Sequence, residues 1–208
     1  MTSQTIFIVD DDDAARESLA MLLQLKGFGT QTFASAEEFL ERYRPEWPGC
    51  VVLDLRMTGM SGIELQAELT RRGLQLPIIF VTAHGDVPSA RAALKAGAID
   101  FVEKPIDHEA LLAAIASALD RDAQEREQLA MSTDLNSRLS RLTAREREVL
   151  DLVAEGKHSR EIASLLGISP RTVEVYRSRL MEKLQVRRIP ELVKLVLEAA
   201  APPSRPRD

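Results

Sequence analysis

Asp10, Asp11, Asp12 and Asp13 stand in a row directly after the apolar run Thr5–Val9. A second carboxylate, Asp54, follows Cys-Val-Val-Leu within the run Cys50–Met57. Thr82 and Lys104 come just after two further apolar runs. Three carboxylates gathered at one place repel and raise one another's pKa unless a cation neutralises them. A hard, oxygen-seeking ion, Mg2+ (or Mn2+), suits Asp10, Asp11 and Asp54, because it keeps several waters and takes up phosphate oxygens. Lys104 adds positive charge for phosphate and Thr82 a hydrogen bond. Together these parts could handle a phosphoryl group. Singly they say less: a strand-end aspartate most often caps the next turn, Lys104-Pro105 alone is a turn, and Phe101 alone is a core residue.

Apolar patterning shows what must position them. Thr5–Val9 reads as a strand. Ala14–Lys26 carries a helical stripe at Ala15, Leu19, Leu22 and Leu23, ended by Gly27. Phe28–Phe33 reads as a strand and Ala36–Tyr43 as a helix capped by Ser35; the Pro45, Pro48 and Gly49 cluster is a loop into the Asp54 strand. Ile63–Arg72 is helical, Pro77–Val81 a strand, Val87–Ala96 a helix closed by Gly97, Ile99–Val102 a strand, and a helix starts at about Asp107. Unbroken Val, Ile and Leu mark parallel strands buried on both faces. Strands alternating with helices predict a doubly wound α/β fold with right-handed crossovers, whose strand carboxyl ends share one rim. That rim would gather Asp10, Asp11, Asp54, Thr82 and Lys104.

Charge is uneven along the chain. Residues 1–120 carry −8 and residues 142–208 carry +3. Such asymmetry suggests a cation-handling module joined to one that meets a polyanion. The lone Cys50 forms no internal disulfide, and His84, His108 and His158 lack metal-ligand spacing, which argues against zinc. No apolar stretch reaches the roughly 18–20 residues of a membrane span, and the N-terminus lacks a signal pattern, so a cytoplasmic protein without membrane contact is expected.

From Asp107 to Glu155 there is neither proline nor glycine, unlike a flexible linker. Helix is expected over most of 107–130, and the spacing of Leu135, Leu139 and Leu142 suits packing on the next domain or pairing with a second chain. Thr143-Ala144-Arg145-Glu146 is a capping-box arrangement before the stripe Val149, Leu150, Leu152 and Val153; Gly156 ends that helix. Ser159 is expected to cap a short helix, Arg160–Leu166, closed by Gly167. Ser169-Pro170 opens a third helix running to Leu184, and Pro190 a fourth, Glu191–Ala200. Pro202–Asp208 is expected to be a disordered tail. Two short helices around a glycine turn suggest helix-turn-helix. Residues 169–188 hold six basic residues against Glu174 and Glu182, as a helix set against DNA phosphates requires.

Residues 4–120 resemble the receiver domain of bacterial two-component response regulators. The resemblance implies that Asp54 accepts phosphate, that Asp10 and Asp11 hold Mg2+ with it, that Thr82 and Phe101 are the switch pair, and that Lys104, before a cis proline, binds phosphate. The family's Met-Pro-Gly turn reads Met57-Thr58-Gly59 here, which loses the fixed φ of proline and regains an N–H. His84-Gly85-Asp86 resembles a loop of the FixJ-like subgroup, where His84 serves equally as a solvated residue or a kinase contact. Leu142–Leu195 resembles the LuxR/FixJ/NarL-type DNA-binding domain in its Leu-Thr-x-Arg-Glu-x-Glu-Val-Leu opening, Ile162-Ala163 and the run Arg171–Tyr176. By that likeness Thr172, Glu174, Val175 and Ser178 face bases and the last helix dimerises; the basic Arg177, Arg179 and Lys183 are expected against phosphates or the groove edge, with Arg171 a further DNA-binding residue.

The resemblance thus implies a receiver of flavodoxin-like fold with a five-stranded parallel sheet (1–120), a helical linker (121–141), an all-α helix-turn-helix domain (142–200) and a tail (201–208). It implies a regulator rather than an enzyme. Its partners would be a sensor histidine kinase, double-stranded promoter DNA and RNA polymerase, with a homodimer formed on phosphorylation. Two rivals remain from the residues themselves. A phosphohydrolase with an aspartate nucleophile needs a capped substrate pocket, and the connections here are short; an adaptor without DNA leaves the basic 169–188 helix unexplained.

Overall fold

The computed structural model describes residues 4–82, 91 and 93–200. Residues 87–90 and 92 of the expected helix Val87–Ala96, the His84-Gly85-Asp86 loop and the tail Pro202–Asp208 lie outside the described residues. The chain divides into two compact units, Met1–Arg126 and Glu127–Asp208. No described helix is long and apolar enough to cross a membrane.

In the first unit, β1 (Thr5–Val9), β2 (Gly29–Phe33), β3 (Gly49–Asp54), β4 (Ile78–Thr82) and β5 (Asp100–Glu103) form an all-parallel sheet in the order β2-β1-β3-β4-β5. The helices α1 (Asp13–Leu25), α2 (Ala36–Arg42) and α3 (Gly62–Arg71) and the start of α4 (His108–Ser140) connect or follow the strands. Period-two alternation splits each inner strand between two cores. Phe7, Val9, Val51, Leu53 and Phe80 face the α2 and α3 side with Phe39, Leu65 and Leu69. Ile6, Ile8, Cys50, Val52, Ile79 and Val81 face α1 and α4 with Leu19, Leu23, Leu111 and Ile115. Two-sided burial is why these strands read as continuous apolar runs. Cys50 is one of the fully buried residues, and burial pushes its thiol up to about 12, so it is a small core side chain.

Strand order reverses at β1, which neighbours β2 on one side and β3 on the other. Such a switch point opens a crevice at the strand carboxyl ends. Val9 pairs with Leu53, so the next residues, Asp10 and Asp54, lie side by side. Thr82 pairs with Glu103, which puts Lys104 one residue beyond β5 on the same rim.

α4 runs unbroken to Ser140, so the helix expected over 107–130 and the helical linker expected over 121–141 are one continuous element. The residues explain why: nothing in the stretch breaks a helix, and the i,i+4 pairs Arg121–Glu125, Arg126–Asp122 and Arg138–Asp134 brace it. Asp122 is buried. It accepts the Gly49 N–H at 2.9 Å and pairs with Arg126, whose guanidinium donates to Pro45 O at 2.9 Å and Trp47 O at 2.7 Å.

The second unit packs α5 (Ala144–Ala154), α6 (Ser159–Leu166), α7 (Pro170–Leu184) and α8 (Ile189–Ala200) around Val149, Leu150, Val153, Ile162, Val173, Leu180, Leu184 and Leu192. Leu139 and Leu142 rest against this core, the first of the two roles open to that stripe. Thr143 and Glu146 form the expected capping box. Ser159 differs from expectation. His158 is the extended N-cap, its N–H held by Glu161 at 2.8 Å, and Ser159 is the first helical residue, with its hydroxyl free for a partner on α7. Gly167 takes a left-handed φ of 64° and turns α6 into α7, which Ser169 caps with Pro170 at its first position.

Candidate functional site

The four aspartates after β1 separate into four tasks. Asp10 turns inward: its Oδ2 accepts from Lys104 Nζ at 3.0 Å and its Oδ1 from the Asp12 N–H at 2.9 Å. Asp11 Oδ2 accepts from both the N–H and the hydroxyl of Thr58, at 2.7 and 2.6 Å. Asp12 caps α1 through the Ala15 N–H, and Asp13 pairs with Arg16. Only the first two face the rim.

Asp54 ends β3 and is 7% exposed. Its Oδ1 accepts from Lys104 Nζ at 3.1 Å and its Oδ2 from the Arg56 N–H at 2.8 Å. Burial raises its pKa, against the opposing pull of Lys104. Lys104 loses affinity for its proton through burial, yet the bonds and charges of Asp10 and Asp54 outweigh that and raise its pKa. The ammonium therefore stays charged between two carboxylates. The Lys104–Pro105 peptide is cis, and the Lys104 N–H donates to Thr82 O at 2.7 Å. Thr82 is buried at the end of β4; Phe101 is half-buried on β5, packed on the core of the α2 and α3 side.

Gly62 secures the geometry under Asp54. A Cβ there would lie 2.4 Å from the Asp54 carbonyl oxygen, so only glycine lets the first turn of α3 approach the strand end this closely.

A divalent ion suits this rim on donor chemistry, since Asp10, Asp11 and Asp54 offer only oxygen ligands. Asp10 and Asp54 already converge on Lys104. Asp11 is drawn to Thr58, and among the described residues no three acidic groups close on one point.

On α7 the 3.6-residue period sorts the expected DNA-facing residues. Arg171, Glu174, Val175, Ser178 and Arg179 are exposed along one face, while Val173, Leu180 and Leu184 are buried on the other. The side chains of Arg171 and Arg179 make no hydrogen bond or ion pair with a described residue. Thr172 is half-buried, its Oγ1 2.8 Å from Ser169 Oγ. Arg177 and Lys183 depart from expectation, because their positions fall at the margin of the buried face. Arg177 donates to Ser159 Oγ and Glu174 Oε1, and Ser159 also donates to that carboxylate. Lys183 Nζ reaches Glu146 Oε2 at 2.7 Å and Arg141 O at 3.2 Å. Glu146 is buried; desolvation pushes its pKa up, but Lys183 and Thr143 outweigh this and hold it below the usual glutamate value. Both cations brace the unit. Ser159 and Glu146 were legible only as capping residues, because their partners lie 15 or more positions away.

Comparisons with known proteins follow the same division. The family described as response regulator receiver domain matches residues 6–116, and the bacterial regulatory proteins of the luxR family match residues 140–196. The chain belongs to the two-component response regulators, with a receiver domain and a LuxR-type DNA-binding domain of a transcription regulator. Transcriptional regulatory protein FixJ of Azorhizobium caulinodans is 45% identical over 202 residues, spanning 97% of this chain and 96% of its own length. FixJ of Rhizobium meliloti is 41% identical over 204 residues, spanning 98% and 100%. Among solved structures, response regulator StyR superposes with a TM-score of 0.88 at 47% identity, covering 94% of this chain and 99% of that one. Full-length FixJ from B. japonicum gives 0.59 at 41% identity, covering 96% and 98%.

Proposed function

We propose that Asp54 is the residue a sensor histidine kinase phosphorylates, and that the modification promotes dimerisation and promoter binding. The observation that carries this is the convergence of Asp10 and Asp54 on one ammonium, Lys104, at the switch point of the sheet. An ionised Asp54 oxygen attacks the phosphorus of a phosphohistidine whose other ring nitrogen is protonated; the P–N bond breaks, its electron pair stays on the ring, which leaves as neutral imidazole, and an acyl phosphate remains. Lys104 keeps Asp54 ionised against the burial that favours its neutral form, then screens the transferred phosphoryl group. Asp10, Asp11 and Asp54 would hold Mg2+ (or Mn2+), which when bound would supply further charge neutralisation for the phosphoryl oxygens. Thr82 and Lys104 bind the new phosphate oxygens, which favours the state that draws Thr82 inward and gives Phe101 room, and so changes the outer surface.

The receiver is assigned to 1–120, the linker to 121–141 and the DNA-binding domain to 142–200, followed by a tail, 201–208. We assign Arg171 and Arg179 to phosphates, and Thr172, Glu174, Val175 and Ser178 to the base-facing side of α7, with α8 as the dimer helix. Ser159 and Arg177 both grip Glu174 Oε1, which leaves the second oxygen available to a base amino group. RNA polymerase is a further partner, and the cytoplasm the place of action.

Incubation with acetyl phosphate tests the first step. One Mg2+-dependent phosphoryl group should appear on the wild type, and Asp54→Asn should take none. Equal labelling of the variant, or no effect of a chelator, would remove the assignment. Light scattering across the micromolar range tests the second step, with a higher mass expected after phosphorylation.

A further inference from the structure

Thr58, in the loop between β3 and α3, puts two donors on one oxygen, Asp11 Oδ2. A carboxylate oxygen has two lone pairs, and here the Thr58 N–H and hydroxyl occupy both. Those bonds, the hydroxyl first, also lower the pKa of Asp11. A proline at position 58 could supply neither donor, since it lacks the N–H and the hydroxyl. The consequence is visible on the rim: Asp10 and Asp54 converge while Asp11 is tied 47 residues away along the chain.

We propose that Thr58 is a latch on Asp11 that weakens divalent-cation binding at the Asp10, Asp11 and Asp54 site, so that the cation and the threonine hydroxyl compete for one carboxylate oxygen. The proposal rests on the metal reading given above. Binding through Asp11 Oδ2 requires the hydroxyl to rotate away, and the free protein gives up a charge-assisted bond at that step. Removing the hydroxyl removes that cost. The competing effect is the familiar one in which a hydrogen bond orients a metal ligand and strengthens binding; it has the opposite sign.

The test uses the full-length chain and Mn2+ alone, titrated by the electron paramagnetic resonance signal of the free ion, for the wild type, Thr58→Val, Thr58→Pro and Asp11→Asn. Valine keeps the shape and the N–H but lacks the hydroxyl; proline removes both donors. Thr58→Val should bind Mn2+ about ten-fold more tightly than wild type, the scale of one hydrogen bond to a charged group, and Thr58→Pro at least as tightly as Thr58→Val. Asp11→Asn should lose most binding. If Asp11→Asn weakens binding while Thr58→Val binds equally or less tightly than wild type, the latch is wrong and the metal site stands. If Asp11→Asn binds as well as wild type, the metal reading falls and the latch with it.

Discussion

Lys183→Met deletes the ammonium that stands 2.7 Å from Glu146 Oε2 while keeping the methylene stem against the unit. Glu146 is 3% exposed and would retain only the N–H and hydroxyl of Thr143, both on the same oxygen. A hydrogen bond to a charged group contributes about 1.5–3 kcal/mol. Lys183 is about one-third exposed, so solvent screens part of this, and a loss of about 1–2 kcal/mol is expected. Arg179→Ala is the counterpart. The Arg179 side chain is exposed and makes no hydrogen bond or ion pair with a described residue, so the stability change should stay within about 0.5 kcal/mol. DNA binding should reverse the ranking. Each phosphate neutralised adds about 0.9 to the slope of log affinity against log salt. A dimer losing Arg179 twice should therefore lose about 1.8 from that slope. Between 50 and 200 mM salt the wild type would then weaken roughly twelve-fold more than the variant. Urea unfolding of the full chain gives the first quantity, and promoter titrations at several salt concentrations the second. If Arg179→Ala leaves the slope unchanged, or Lys183→Met lowers it with no loss of stability, the division of roles on α7 is wrong.

Three further outcomes follow from the geometry. In Gly62→Ala the new Cβ would meet the Asp54 carbonyl oxygen at 2.4 Å, so the backbone under Asp54 must shift. We expect about 1–3 kcal/mol of destabilisation together with slower labelling by acetyl phosphate; full labelling at the wild-type rate would show that Asp54 tolerates the shift. Arg126→Ala frees Pro45 O and Trp47 O and leaves Asp122 buried with only the Gly49 N–H. The loss should be about 3 kcal/mol, and amide exchange should quicken in the loop before β3; unchanged exchange there would count against Arg126 holding that loop. Glu146 is held below its ordinary value of 4.5, so its contribution is complete above that pH and fades as pH falls through the lower, folded-state value. Acid titration should therefore show wild type converging on Glu146→Gln below about pH 4.5, and parallel curves throughout would refute the pair's role.

Most of the architecture was readable along the chain because it is local in origin. Two-sided burial produced the unbroken apolar strands, and the caps at Ser35, Thr143 and Ser169 act within three residues of themselves. The rim was readable too, since parallel strands must end on one edge and Asp10, Asp54, Thr82 and Lys104 each sit at a strand end. What periodicity could not supply was the partner of each charged side chain. Spacing alone cannot tell a basic residue facing DNA from one facing its own fold: Arg177 and Arg179 are two positions apart, about 200° around a helix, and one grips Ser159 while the other points outward. Likewise Asp122 and Arg126 look like any surface i,i+4 pair until the fold brings Gly49, Pro45 and Trp47 beneath them. Thr58 was visible as a missing proline; that its hydroxyl and N–H would both fall on Asp11 depended on a loop 47 residues away. The sequence by itself determined which residues lie at the strand ends and on each face of a helix, because those follow from bonded geometry and burial. Only the tertiary structure decided which charge meets which, because such pairs join groups far apart in the chain across a few ångströms of space.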